Sequence, residues 1–343
     1  MSTPHPRVLA FDGLRGLLAL AVVLSHVAAL TFLPGRTQPS SFDYLLWHFG
    51  APAVDVFFVL SGLVVARSYV RRPALWPYLA ARLRRLAPLG LLGAVLGLGL
   101  ARPLAASLPA DLAPHGLLPI LTEPLTGLDL QGVLTLGLGG WFEANRVNPP
   151  LWTLAIELYA SALLPLMVWA ARRWGWTALL ISLPLAFGMV FVFWPLMVMP
   201  LFLLGVLLAL QPPQVPARLL PLVGVLGAGV LLCRHVLGSD DAYLRWLTAL
   251  GAAGVLLALE GLQPAFFQQR WAQWLGERSY ALYATHFPVM VAAVWLGWNS
   301  IGVTGSGLLA VPVCLLVAHL AHHLTQGRSA QRVPRLLPEV SHD

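Results

Sequence analysis

The sequence predicts an all-α integral membrane protein, a bundle of about ten transmembrane helices with both termini cytoplasmic. Three observations carry that expectation. The chain is 58% hydrophobic and 10% charged, where a soluble domain carries roughly a quarter charged residues, and its mean hydropathy is +0.76. Apolar runs near the ~20 residues of a bilayer-spanning helix recur from Leu14 to Gln326. Arginine, present without any lysine, concentrates in alternate loops.

The elements follow in chain order. "FDGLRGLLALAVVLSHVAALTFL" covers the first span, 12–33. It is too long for a signal-peptide core and lacks a small-x-small cleavage site. "APAVDVFFVLSGL" opens the second span, 51–70, and "RSYVRRPALWPYLAARLRRLAP" leads into the third, 86–104. The segment Ala105–Pro149 is broken by Pro109, Asp111, Pro119, Glu123, Pro124 and Asp129 and reads as an outer cap or re-entrant stretch. A further span there would reverse the arginine asymmetry of everything downstream. "NPPLWTLAIELYASALLP" opens the fourth span, 150–170. The fifth and sixth, 176–193 and 196–211, divide at Trp194-Pro195, because proline has no amide to continue a helix. Spans at 219–237, 245–262, 279–298 and 307–326 complete a single domain over 1–343, with a short cytoplasmic tail at 327–343.

Orientation follows from charge. Of 21 arginines, five (Arg36, Arg102, Arg146, Arg234 and Arg245) fall on the outer side and sixteen on the inner side. The net charge of +7 therefore reflects loops facing the cytoplasm rather than a nucleic-acid partner. Cys233 and Cys314 form no CxxC pair, and no metal-ligand spacing, P-loop or GxSxG is present.

The chemistry-bearing residues lie inside apolar segments. Arg15 and His26 are eleven positions apart, about three turns, and so share one face of the first span about 16 Å apart. An ionisable side chain within a span is expensive and marks function by default. Counting residues puts His26, Asp55 and Glu157 at similar depths in the outer part of three spans. One histidine and two carboxylates could converge there, with an imidazole oriented by a carboxylate to take a proton from a hydroxyl. Which carboxylate reaches the ring is open, and capping its own helix is the lesser alternative for Asp55. On the inner side Arg82 and Arg85, at i and i+3, suit the phosphates of a nucleotide-bearing donor or anionic lipid. Tyr283 and His286, also at i and i+3, share a face in the ninth span.

These segments together resemble the acyltransferase 3 family of integral-membrane acyltransferases, which modify sugars and other hydroxyl-bearing acceptors in or near the cell envelope. The pieces are "FDGLRGLLALAVVLSH", "VDVFFVLSGLVVAR", "YLAARLRRLAP", "PPLWTLAIELY" and "LGERSYALYATHFP", in the family's order. The resemblance implies that His26 is the catalytic histidine of an arginine–ten residues–histidine motif with Arg15. It implies that Arg82 and Arg85 serve the acyl donor or hold the site. Asp55, Ser61, Trp152, Glu157, Tyr283 and His286 fall on other recurrent positions. The implied donor is acyl-CoA, commonly acetyl-CoA, with no permanently bound cofactor. The implied setting is the cytoplasmic membrane, among membrane lipids. Where the family's fourth motif reads serine–valine–glutamate, this chain has Ala155-Ile156-Glu157.

The expected activity is transfer of an acyl group to a hydroxyl of an envelope glycan or lipid-linked sugar. Some family members carry an extracellular esterase-like domain. None is expected here, so final transfer would occur within the membrane domain or on a separate envelope partner protein. A diffusible sugar-bearing metabolite such as a macrolide is the alternative acceptor. A transporter or flippase of lipid-linked or small polar substrates is the alternative class.

Overall fold

A computed structural model describes residues 8–32, 41–108, 118–134, 146–189, 194–237 and 244–330, and among these every regular element is a helix. Arg7, Arg36, Asp111 and the tail beyond Ala330 lie outside the described residues. Seven helices are long and apolar enough to cross a membrane. The chain is a multi-pass helical membrane protein.

Helix α1 (Leu9–Val27) continues through a widened turn, Ala28–Phe32, and α2 runs over Ser41–Arg71. Helix α3 (Leu75–Leu96) is prolonged through Gly97–Ala101 and Arg102–Ala106. It starts well before the 86 expected from hydropathy. Ala74, just after Pro73, is extended, and the helix begins at the next residue. Arg82, Arg84 and Arg85 are therefore residues of a helix rather than of a loop before it. Hydropathy counting stops at charges, but a charge that finds a partner does not end a helix.

Two short helices, α4 (Leu118–Thr122) and α5 (Gly127–Leu134), lie in the segment expected as a cap. Arg146 holds them together, reaching Glu123 at 2.9 Å and Asp129 at 3.4 Å. Arg102 donates to the carbonyls of Arg146 (2.6 Å) and Glu123. Helix α6 (Trp152–Trp174) starts behind Pro149-Pro150 and ends at Gly175, whose φ of 56° suits a residue without Cβ.

The fifth and sixth expected spans are shorter than a full crossing. Helices α7 (Thr177–Met189) and α8 (Met199–Leu210) have 13 and 12 residues and are separated by a tight turn at Trp194–Val198. Each is about 18–20 Å long, short of a ~30 Å hydrocarbon core. Helices α9 (Leu220–Leu231) and α10 (Leu244–Leu262) pack on each other. The outward face of α9, including Leu222, Val225 and Leu226, is exposed as lipid contact requires.

The ninth and tenth spans form one element, α11 (Arg270–Ala330), broken at Gly302 with φ 75° and ψ 168°. Its two arms run antiparallel: Arg278 Nε reaches His319 Nδ1 at 2.9 Å, and Cys314 Sγ reaches the His286 carbonyl at 3.5 Å. Helix α1 lies along the first arm and also against α2, which packs on α8. Glycine permits close approach here: a Cβ on Gly16 would sit 2.7 Å from the backbone nitrogen of Gly276. The first-span motif is thereby pressed against the ninth.

Candidate active site

Two chambers open inside the bundle, sharing Val54 and Tyr283 as a common wall. The first is lined by Arg15, Ser61, Arg82, Arg85, Glu157 and Tyr280, with Phe57 and Phe58 as apolar walls. Three guanidinium groups face one carboxylate there, an excess of positive charge suited to an anion. Its cavity is about 80 Å³, against about 270 Å³ for the second chamber. That width suits a slender chain better than a nucleotide.

The three arginines differ in how they are held. Arg82 is 7% exposed. It pairs with Glu157 Oε1 through Nη2 and donates through Nε to Ser161 Oγ at 3.0 Å. Ser61 Oγ donates to the same Glu157 oxygen at 3.0 Å, so α2, α3 and α6 meet on that carboxylate. Arg15 pairs with Asp12 one turn earlier, at 3.1 Å. Arg85 is exposed and has no hydrogen-bond or ion-pair partner among the described residues.

The second chamber is lined by Ser25, His26, Trp47, Trp152, Arg245 and Tyr283, with Pro149, Pro150 and Ile120 of the cap segment at its margin. His26 Nδ1 lies 2.7 Å from His286 Nε2, with the rings stacked at 5.0 Å and 9°. His286 Nδ1 faces two carbonyl oxygens, of Tyr283 at 2.9 Å and Leu282 at 3.1 Å. Carbonyls only accept, so the His286 proton sits on Nδ1, and in the neutral ring Nε2 is an acceptor. His26 Nδ1 must then donate to it, which leaves the lone pair of His26 on Nε2. Phe287 packs edge-on against the His26 ring at 5.6 Å.

Asp55 is fully enclosed. Its oxygens accept from Arg245 Nη1 at 2.7 Å and Thr248 Oγ1 at 2.6 Å, both on α10. The Arg245 guanidinium lies over the Trp152 ring at 5.3 Å.

The structure thus separates the three groups counted to one depth. His26 meets His286, Asp55 meets Arg245 and Thr248, and Glu157 meets Arg82 and Ser61. Arg15, Ser61, Arg82 and Arg85 are brought together in the first chamber; His26, Trp152 and Tyr283 line the second, with His286 behind His26. Arg245, Thr248 and Ser161 were not singled out from the sequence. For Arg245 the signal was available: an outer arginine opening the eighth span, and a buried aspartate in the second span that needs a cation.

The described helices thus form a multi-pass membrane bundle with an arginine-lined chamber next to a histidine-lined one. Comparison with known proteins gives the family. The acyltransferase 3 family, described as an acyltransferase domain, matches residues 8–319, and the chain belongs to it. Nodulation protein 10 of Rhizobium leguminosarum bv. viciae is 28% identical over 187 residues, 52% of this chain and 49% of that protein. Protein 2 in the picA locus of Rhizobium radiobacter is 34% identical over 187 residues, 50% of this chain and 85% of that protein. The chain thus spans about half the length of the first relative and most of the second. No solved structure matches.

Proposed function

We propose that the protein is an O-acyltransferase of the cytoplasmic membrane. It moves an acyl group, in the first instance acetyl, from acyl-CoA to a hydroxyl of an envelope glycan or another sugar-bearing acceptor. The observation that carries this reading is the shared wall at Tyr283 and Val54. It joins an anion-attracting chamber to one built on an imidazole whose free nitrogen is defined.

The donor's phosphates meet Arg85 at the rim of the first chamber, and its slender thioester arm enters between the apolar walls toward Tyr283. The acceptor enters the second chamber, where Trp47 offers a flat face a sugar ring packs on. His26 Nε2 takes the proton of the acceptor hydroxyl as its oxygen attacks the thioester carbon. The C–O bond forms, the C–S bond breaks, and the sulfur leaves with the proton that His26 carried. His286 shares the transient positive charge through the Nδ1–H···Nε2 contact, its own N–H held by two helix carbonyls. Both substrates are present together in this scheme, and any final hand-over to a distant glycan falls to a separate envelope partner.

The arginine-rich end of the bundle faces the cytoplasm in this reading, with both termini on that side. The two arms of α11 bring the full crossings to eight, and the short helices α7 and α8 complete ten membrane segments. Membranes containing the wild type or the His26→Ala variant, given acetyl-CoA labelled on the acetyl carbon, test it. His26-dependent, base-labile label on glycan, lipid-linked sugar or small molecules is expected, and the labelled fraction names the acceptor class. No such label with folded protein, including with longer acyl donors, would sink the reading.

A further inference from the structure

Attack on a thioester places a negative charge on the carbonyl oxygen, and a chamber inside a membrane offers little water to solvate it. Stabilising that charge with fixed donors is usually the largest catalytic effect in acyl transfer. The side-chain donors of the second chamber are mostly neutral: the Tyr283 hydroxyl and the indole N–H groups of Trp47 and Trp152 carry no charge to match that of an oxyanion. Pro149 and Pro150 at its margin have no amide hydrogen. The Ser25 hydroxyl donates to the Trp47 carbonyl at 2.8 Å. Arg245 is the sole lining residue with a permanent charge among the described residues.

We propose that Arg245 is the oxyanion-binding residue of the acyl-transfer site, with Asp55, Thr248 and Trp152 as its mounting; this rests on the acyltransferase reading above. The mounting is asymmetric. Asp55 is fully enclosed, while the Arg245 side chain keeps 15% of its surface exposed. The counter-charge is therefore buried behind the guanidinium, and the open side of the cation faces the chamber that His26 lines. Only Nη1 is used on Asp55, which leaves other N–H donors of the planar fork for a second oxygen. Thr248 Oγ1 fixes the other Asp55 oxygen, and the Trp152 ring supports the guanidinium plane. Such a group needs no reorganisation when charge develops, and in the resting state the Arg245–Asp55 pair avoids the cost of a bare cation in a span.

The step balances. The acceptor proton passes to His26 Nε2, the thioester carbonyl oxygen becomes an alkoxide held by Arg245, and the carbonyl re-forms as the thiolate leaves and takes the proton. Asp55 acts through Arg245 and is a positioning residue.

The test uses the full-length protein in membranes with labelled acetyl-CoA and the acceptor fraction that the wild type labels. Arg245→Gln should lower kcat by about 100- to 1,000-fold while KM for acetyl-CoA and for that fraction changes little. Arg245→Lys, which keeps the charge without the fork, should recover part of the loss. Because Arg245→Gln strands Asp55, the double variant Asp55→Asn/Arg245→Gln, of matched size and balanced charge, is measured beside it and should show the same loss in kcat. Wild-type kcat in a folded single or double variant would overturn the inference, as would a rise in acceptor KM with kcat intact, which assigns Arg245 to acceptor binding. Absence of any His26-dependent transfer by the wild type would overturn the acyltransferase reading itself, and the inference with it.

Discussion

The two chambers handle charge in opposite ways. In the arginine chamber cations outnumber carboxylates, and one of them, Arg85, is exposed with no partner among the described residues. In the histidine chamber the sole permanent cation among the described residues, Arg245, is paired with an enclosed aspartate, and His26 is oriented by a second imidazole. A standing excess of charge suits a ligand that is itself charged. A balanced site with fixed dipoles suits a reaction in which charge appears and vanishes. In the acyltransferase scheme proposed above, binding falls to one side of Tyr283 and chemistry to the other, and substitutions on each side should therefore fail in different kinetic terms.

The largest effect is expected at His26. His26→Ala removes the base and should lower kcat by about 1,000-fold or more, with KM for the donor unchanged because that chamber is intact. A variant with equal losses in kcat and in donor binding would merge the two chambers into one functional unit. His286→Leu comes next. It removes the acceptor that fixes the His26 proton on Nδ1, so a fraction of His26 rings present the wrong nitrogen, and kcat should fall by about 100-fold. His286→Gln has an amide oxygen that can accept the same hydrogen bond and should recover part of the rate. Equal loss in both variants would mean that His286 matters for packing alone.

Glu157→Gln probes the other side. The Arg82–Glu157 pair is mostly buried, with side-chain exposures of 8% and 24%, and neutralising one partner should cost about 3 kcal/mol of stability. Thermal unfolding in detergent measures it. Donor affinity should hold or improve, since the chamber becomes more positive. If the folded variant instead loses kcat with an unchanged unfolding midpoint, Glu157 takes part in the chemistry and the division between chambers is wrong.

How far the sequence reached follows from what periodicity measures. Spacing along one helix is legible: Arg15 and His26 lie three turns apart on α1, and in the structure that separation carries them into different chambers. Depth counted from the span ends is less so: Glu157, counted to the depth of Asp55, accepts from Ser61, six residues further along α2. The direction a side chain takes around its own helix axis is not, until the neighbouring helices are known. Asp55 and Glu157 were assigned the depth of His26, yet Asp55 turns toward α10 and Glu157 toward α3. His26 meets His286 across 260 positions and Asp55 meets Arg245 across 190, contacts set by how α1, α2, α10 and α11 pack. The start of α3 was misplaced because arginines read as a loop, whereas Glu157 and Ser161 make a helical position tolerable for Arg82.

Arg85 gives the smallest and sharpest test of the division. Arg82 and Arg85 look equivalent in sequence, three residues apart on the same helix. Arg82 is spent on Glu157 and Ser161, so its removal would lower stability and distort both α3 and α6. Arg85 makes no hydrogen bond or ion pair with another described side chain, so Arg85→Ala should fold normally and leave the unfolding midpoint nearly unchanged. A charge-assisted hydrogen bond to a phosphate is worth about 1.5 kcal/mol or somewhat more, which predicts a rise of about tenfold in KM for acetyl-CoA at constant kcat. Pantetheine thioesters, which carry the same reactive arm without the nucleotide, sharpen the result. Wild type and Arg85→Ala should use acetyl-pantetheine equally well if Arg85 reads the nucleotide's phosphates. A tenfold difference that persists with acetyl-pantetheine would place Arg85 on the arm instead, and shift the donor's nucleotide to some other part of the arginine-rich end.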